Sequence, residues 1–286
     1  MVRPIYDLLT KGQTVLINGR CGSYQVMKAL KTTVFQALTV ETNTPMDKCM
    51  VFEWMDADLW SLRARAQELG QPFLKATARS ILEAVKVFSD MDGQDPVVHT
   101  ELKDINPNNV LVSNVDSPKP SVKLSDLGAV IPSEGFDEWR LQSLATRAPE
   151  LWKGVLPAPP CDVWSVGVTL AHFLAARALF GPGDQNAHAN SLPKEINQAA
   201  WAIGKIVQLV GPLERNENPK YKLEFDLAEL FVKRGIIKMG SLEEELARVN
   251  AAADCISFIR YLLTLDHKKR PTAEQALQHG WLQSSV

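Results

Sequence analysis

The stretch from Val97 to Glu150 restricts this chain more than any other part of it. It reads VVHTELKDINPNNVLV, then KLSDLGAV, then LATRAPE, and each piece sets a polar or acidic side chain beside a segment that a core would hold still. Val110, Leu111 and Val112 form a short apolar run that suits a buried strand and would fix the loop before it. Turn chemistry in SNVDSPKPS leads into Val122, Lys123 and Leu124, so the two runs are predicted to pair as a hairpin. A hairpin brings its ends together. The loop entering it, Asp104 to Asn109, and the acid leaving it, Asp126, are therefore expected side by side, an arrangement of oxygen atoms that suits a divalent metal on phosphate groups. Gly128 would let the backbone turn sharply just beyond that acid.

With 286 residues, 45% of them hydrophobic, the chain can bury a sizeable core as one large domain or two unequal lobes. A net charge of −2 gives no general attraction to nucleic acids or membranes. Cys21, Cys49, Cys161 and Cys255 are scattered without paired spacing, which reads as reduced thiols in an intracellular protein, cytoplasmic or nuclear. No apolar run reaches the roughly 18 residues of a membrane span. His172, His188 and His279 lie far apart without ligand spacing and read as structural.

The three pieces, in their order, resemble the catalytic loop, metal-binding loop and activation-segment end of eukaryotic protein kinases. Asp126, Leu127 and Gly128 look like the Asp-Phe-Gly element with Leu in place of Phe. Two registers fit the catalytic loop. In one, Glu101 is the catalytic acid, with Lys103 and Asn106 at the family's Lys and Asn positions. In the other, Asp104 is the acid and Asn109 the metal ligand, with Asn106 where Lys is expected. The second is preferred, because it keeps an Asp, keeps Pro107 and runs straight into the strand. A Glu in its place would shift the base by about 1 Å, a displacement that can cost ~10²-fold. Ala148, Pro149 and Glu150 match the Ala-Pro-Glu element, Ser143 stands where Ser/Thr kinases keep a hydroxyl near the catalytic acid, and Arg147 resembles the cyclin-dependent and MAP kinase group. The Arg of His-Arg-Asp is replaced by Thr100 or Lys103, so a loop phosphate would lack its bidentate partner.

Tyr24 to Ala37 suggests two short strands and a turn, similar to the family's first two strands, but LKTT stands where its glycines should be. Only 14 residues then separate Ala37 from Phe52. A complete small lobe would hold about forty more, including the strand with the phosphate-binding Lys and the helix with its Glu partner. The resemblance resumes with MVFEWMDADL, expected as an apolar strand ending in acids. It looks like the inter-lobe hinge, which implies Phe52 as gatekeeper, Glu53, Trp54 and Met55 at adenine and Asp58 near the ribose. Leu74, Ala78, Ile81, Leu82, Val85 and Phe88 follow helical spacing and predict one long core helix.

CDVWSVGVTLAHFLA matches the family's Asp-x-Trp-Ser-x-Gly helix, which implies that Asp162 supports the catalytic loop from below. HKKRPTAEQALQHGWL matches its final Arg-Pro-Thr helix, which implies a buried pair between Arg270 and Glu150. Leu209 to Leu246 resembles the insert of the cyclin-dependent and MAP kinase group, a partner-docking element or a plain surface subdomain. The resemblance thus implies an α+β, protein-kinase-like fold. Residues 1–55 would form a truncated, β-rich small lobe with the hinge, and 56–286 a mainly helical large lobe. It implies ATP and Mg2+ as cofactors and a protein substrate or protein partner, with neither nucleic acid nor membrane. Three readings stay open. The chain is a Ser/Thr kinase impaired by its small lobe, a pseudokinase that binds partners, or a version of an active kinase shortened by splicing or by its gene model.

Overall fold

The computed structural model describes residues 15–19, 22–29, 35–40, 53–90, 97–99, 105–127, 130–132, 141–183, 193–216 and 218–284. The chain divides into two compact units, Met1–Met55 and Asp56–Val286.

In the first unit, β1 (Val15–Gly19), β2 (Gly22–Ala29) and β3 (Phe35–Val40) form an antiparallel sheet in the order β1-β2-β3. The two strands expected over Tyr24–Ala37 are β2 and β3, with a register shift between Val26 and Lys28. Strand β1 was not foreseen, because VLING offers only three apolar residues, too few to show a period. The LKTT stretch and Phe52 lie outside the described residues.

The second unit opens with a correction. The apolar strand expected over Met50–Leu59 is, from Glu53 onward, only the two-residue β4 (Ala57–Asp58). The acids at its two ends accept from backbone amides, one distant in the chain and one local. Asp56 Oδ2 accepts from Asn114 N at 3.1 Å, and Asp58 Oδ1 accepts from Ser61 N at 2.8 Å. A 3-10 turn at Arg63–Arg65 leads into α1 (Ala66–Ser89), which is kinked at Gly70, φ 66°, so that its long core-facing part follows the kink. Its core face carries Phe73, Leu74, Thr77, Ala78, Ile81, Leu82 and Val85, while Phe88, expected in that stripe, is half-buried near the helix end.

The predicted hairpin is present: β6 (Val110–Ser113) pairs with β7 (Ser121–Leu124), Val110 opposite Leu124 and Val112 opposite Val122. Strand β4 adds to the outer edge of β6, and β5 (Val97–His99) pairs with β8 (Val130–Pro132). Next come the short α2 (Pro149–Trp152) and then α3 (Pro160–Leu174). Every residue of α3 from Cys161 to Leu174 is buried, as befits a helix that runs through the middle of a core. Trp152, Trp164, Phe173, Phe180 and Phe258 are among the largest fully buried side chains around it. Burying each large apolar side chain of this kind contributes roughly 1.5–3 kcal/mol, so α3 is the frame on which the loops hang.

Helices α4 (Lys194–Leu209) and α5 (Pro219–Lys233) pack on each other, joined by a smaller apolar cluster of Ala200, Phe231 and Ile237. Then follow α6 (Leu242–Ala247), α7 (Ala253–Leu262), α8 (Ala273–Leu277) and α9 (Gly280–Gln283). Helices α6 and α8 start at capping boxes, Ser241 with Glu244 and Thr272 with Gln275, which satisfy amides at each N-terminus. Among the described residues no helix is long and apolar enough to cross a membrane.

Candidate active site

The hairpin brings the two candidate metal ligands to one end. Ser125 donates to the Asn109 carbonyl twice, from its backbone N at 2.8 Å and its Oγ at 2.9 Å. Asn109 and Ser125 are the residues just beyond the Val110–Leu124 pair, so Asp126 leaves the hairpin at the point where Asn109 enters it. Asp126 itself has a left-handed backbone, φ 62°, while Gly128, to which the sharp turn was assigned, lies outside the described residues. A side chain in the left-handed region costs of order 1 kcal/mol, and the two bonds from Ser125 help to hold the backbone there.

The loop ahead of Asn109 is fixed from three directions. Within it, Asn106 Oδ1 accepts from Asn108 N at 2.9 Å and Nδ2 at 3.1 Å, and Asn109 N donates to Asn106 O at 3.0 Å. From the turn after β4, Trp60 N donates to Pro107 O at 3.1 Å. From below, Thr169 Oγ1 of α3 donates to the carbonyl of buried Ile105 at 3.2 Å. Thr169 was not recognised as a site residue from sequence. The available signal was a pair of hydroxyls, Ser165 and Thr169, spaced one turn apart in the apolar stretch between Asp162 and His172.

Glu101, Lys103 and Asp104 lie outside the described residues, as does Phe52. Glu53, Trp54 and Met55 are described and carry no regular secondary structure, with Trp54 49% exposed. Asp58 turns one carboxylate oxygen to its own loop at Ser61. Among the described residues no group of three or more His, Cys, Asp or Glu side chains is placed to hold a metal. Asn109 and Asp126 provide a carboxamide and a carboxylate, the hard oxygen donors that Mg2+ takes when phosphate and water oxygens complete its shell.

Elsewhere in the second unit, Arg270 and Glu150 meet end to end, Nη1 to Oε1 at 2.7 Å and Nη2 to Oε2 at 2.9 Å, with side-chain exposures of 0% and 4%. Arg270 also donates to the carbonyls of Pro160 at 2.8 Å and Thr264 at 2.8 Å, and its guanidinium lies 5.2 Å from the Trp164 ring. Asp162 is fully buried in the first turn of α3.

The segment before α2 is equally tied. Ser143 and Thr146 share a hydroxyl hydrogen bond of 2.8 Å, and Arg147 Nε donates to Leu141 O at 3.0 Å. Arg147 also lies over the Trp152 ring at 4.5 Å.

Nearby, His172 is a structural histidine: its Nε2 accepts from Phe180 N at 3.0 Å. Burial, reinforced by the charge of Lys205, pushes its pKa down from 6.5 to about 3. An unfolded histidine takes up a proton first as pH falls, so this stability is whole above about pH 6.5 and is lost progressively toward pH 3. The slope is at most about 1.4 kcal/mol per pH unit. His172→Gln, which keeps an acceptor for Phe180, should therefore lose less stability than the parent between pH 7 and pH 4.5 in denaturant titrations. Equal losses would show that His172 does not set the acid limit.

These observations can be placed beside known proteins. The sequence model of the protein kinase domain matches residues 24–282. Dual specificity tyrosine-phosphorylation-regulated kinase 3 of Macaca fascicularis is 27% identical over 273 residues, covering 83% of this chain and 43% of the relative. Serine/threonine-protein kinase MAK of Mus musculus is 28% identical over 237 residues, covering 82% and 33%. The chain thus spans less than half the length of these relatives. Among solved structures, the crystal structure of a kinase domain superposes with a TM-score of 0.56 at 18% identity, over 80% of this chain and 71% of that one, which shows the fold. With nearly its whole length matched, the chain belongs to the protein kinase family.

Proposed function

We propose that the chain binds Mg-ATP weakly and transfers its γ-phosphoryl group slowly to Ser or Thr of a protein substrate. The observation that carries this reading is the hairpin register, which sets Asn109 beside Asp126 through the two bonds from Ser125. In it, Asn109 and Asp126 hold the metal and Asp104 takes the proton of the acceptor hydroxyl. Bound Mg2+ would supply charge neutralisation at the phosphates. Glu53, Trp54 and Met55, with Phe52, would offer the adenine site, and Asp58 the ribose contact. The unit Met1–Met55 is read as the truncated small lobe and Asp56–Val286 as the large lobe. The register with Asp104 is supported by the use of Asn106, whose amide oxygen already serves Asn108 inside the loop.

The short stretch between Val40 and Glu53 favours a second reading, a pseudokinase that works by binding a protein partner, since the phosphate-binding Lys and its Glu partner have no place in it. Titration with Mg-ATP separates the two. Kinase function predicts measurable binding weaker than micromolar, that is, weaker than about −8 kcal/mol, and loss of its metal dependence in Asp126→Asn. Micromolar affinity would contradict the weak-site account, and no binding at millimolar nucleotide would favour the pseudokinase.

A further inference from the structure

We infer that Gln142 is the positioning residue for the segment Ser143–Ala148, tying it to the same helix that holds the loop after Asp104. The inference rests on the proposed phosphotransfer, in which Ser143, at the position where Ser/Thr kinases keep a hydroxyl near the catalytic acid, sets this segment beside the acceptor hydroxyl. Gln142 is 1% exposed and has a left-handed backbone, φ 67°. Its carboxamide joins two elements. Oε1 accepts the Ala148 N–H at 2.9 Å, while Nε2 donates to Ser165 Oγ at 3.0 Å and to Cys161 O at 3.3 Å, both in α3. The Gln142 carbonyl accepts from Arg147 Nη2 at 2.8 Å and Nε at 3.3 Å. Ser165 Oγ lies 3.2 Å from Thr146 O.

Ser165 and Thr169 stand four residues apart on one face of α3. Thr169 fixes Ile105 O, next to the proposed acid, and Ser165 fixes Gln142. The helix therefore sets the spacing between the loop that would act on the hydroxyl and the segment that would present it. Gln142 is the link on the second side. A glycine would adopt this φ without strain, but only a side chain of this length reaches Ala148 N and Ser165 Oγ together. Gly181 closes the opposite side of the same segment: its φ is 94°, and a Cβ placed there would lie 2.8 Å from Ala145 Cα.

Hydrogen exchange on the full chain tests this, with the Ala148 amide as direct reporter. Gln142→Gly removes the carboxamide but relieves the backbone. It is expected to speed exchange at Thr146, Arg147 and Ala148 by at least ~10-fold, with α3 and α7 unchanged. Gln142→Glu keeps an oxygen for Ala148 N, but its second oxygen cannot donate and would face the Cys161 carbonyl, so it should not restore the protection. Gly181→Ala, which crowds Ala145, should loosen the same amides. In phosphotransfer, Gln142→Gly should raise the peptide KM by at least ~5-fold with kcat little changed, the signature of peptide binding lost equally from ground and transition state when its segment is loosened. Unchanged Ala148 exchange in Gln142→Gly, exchange that speeds equally throughout α3, or full protection in Gln142→Glu would overturn the assignment. A parent chain without phosphotransfer would remove the functional reading, and the exchange pattern would still decide the role of Gln142.

Discussion

Arg270→Ala is expected to destabilise the Asp56–Val286 unit by about 3–5 kcal/mol, because removing one member of a buried ion pair leaves the other charge buried without its partner. Here the loss reaches beyond the pair. Arg270 joins α2 through Glu150, the start of α3 through Pro160 O and the loop after α7 through Thr264 O. Those carbonyls and the Glu150 carboxylate would need new donors in a region water reaches poorly. Arg270→Lys should rescue little, since an ammonium cannot make the two parallel bonds of the guanidinium. Urea unfolding followed by fluorescence of buried Trp152 and Trp164 reads the effect directly. The double change Glu150→Ala with Arg270→Ala should cost less than the sum of the single ones, because each single change already removes the bond. An unchanged midpoint in Arg270→Ala would mean that the pair does not hold these elements together.

The second large effect is on rate. Transfer of the γ-phosphoryl group asks little covalent chemistry of the protein, so speed comes from positioning and from charges aimed at the phosphates. Losing one such stabiliser commonly costs ~10²- to 10³-fold, near 3 to 4 kcal/mol. The sequence supplies no glycine-rich loop at LKTT, and positions 41–52 are too few for the strand with the Lys and the helix with its Glu. These groups act as a unit and their losses do not simply multiply. Turnover is therefore expected at least ~1,000-fold below the ~1 to 100 s⁻¹ of a typical kinase.

Much of the fold was legible because its signals are local and periodic. The helix of Leu74, Ala78, Ile81, Leu82 and Val85 showed its 3.6-residue spacing, and the two apolar runs of the hairpin were separated by unmistakable turn residues. Strand β1 and the brevity of β4 were not legible, since one has too few apolar residues and the other is ended by side chains meeting distant backbone, as Asp56 meets Asn114. For the candidate site, sequence pointed to Asn109 and Asp126, but not to the left-handed turn at Asp126 or to the part of Gln142. Both depend on hydrogen bonds between residues far apart in the chain, which no spacing rule records. Nothing in LQS marks Gln142 as a buried link until α3 is seen running beneath it.

The account turns on whether this chain moves phosphate with the residues assigned to it. The measurement is radiolabel transfer from Mg-ATP to a generic basic protein by the parent chain, Asp104→Asn, Asp126→Asn and Glu101→Gln. The prediction is a slow rate, at least ~1,000-fold below 1 to 100 s⁻¹, abolished by Asp104→Asn and by Asp126→Asn and retained in Glu101→Gln. Turnover near ~1 s⁻¹, or loss in Glu101→Gln with activity kept in Asp104→Asn, would contradict it.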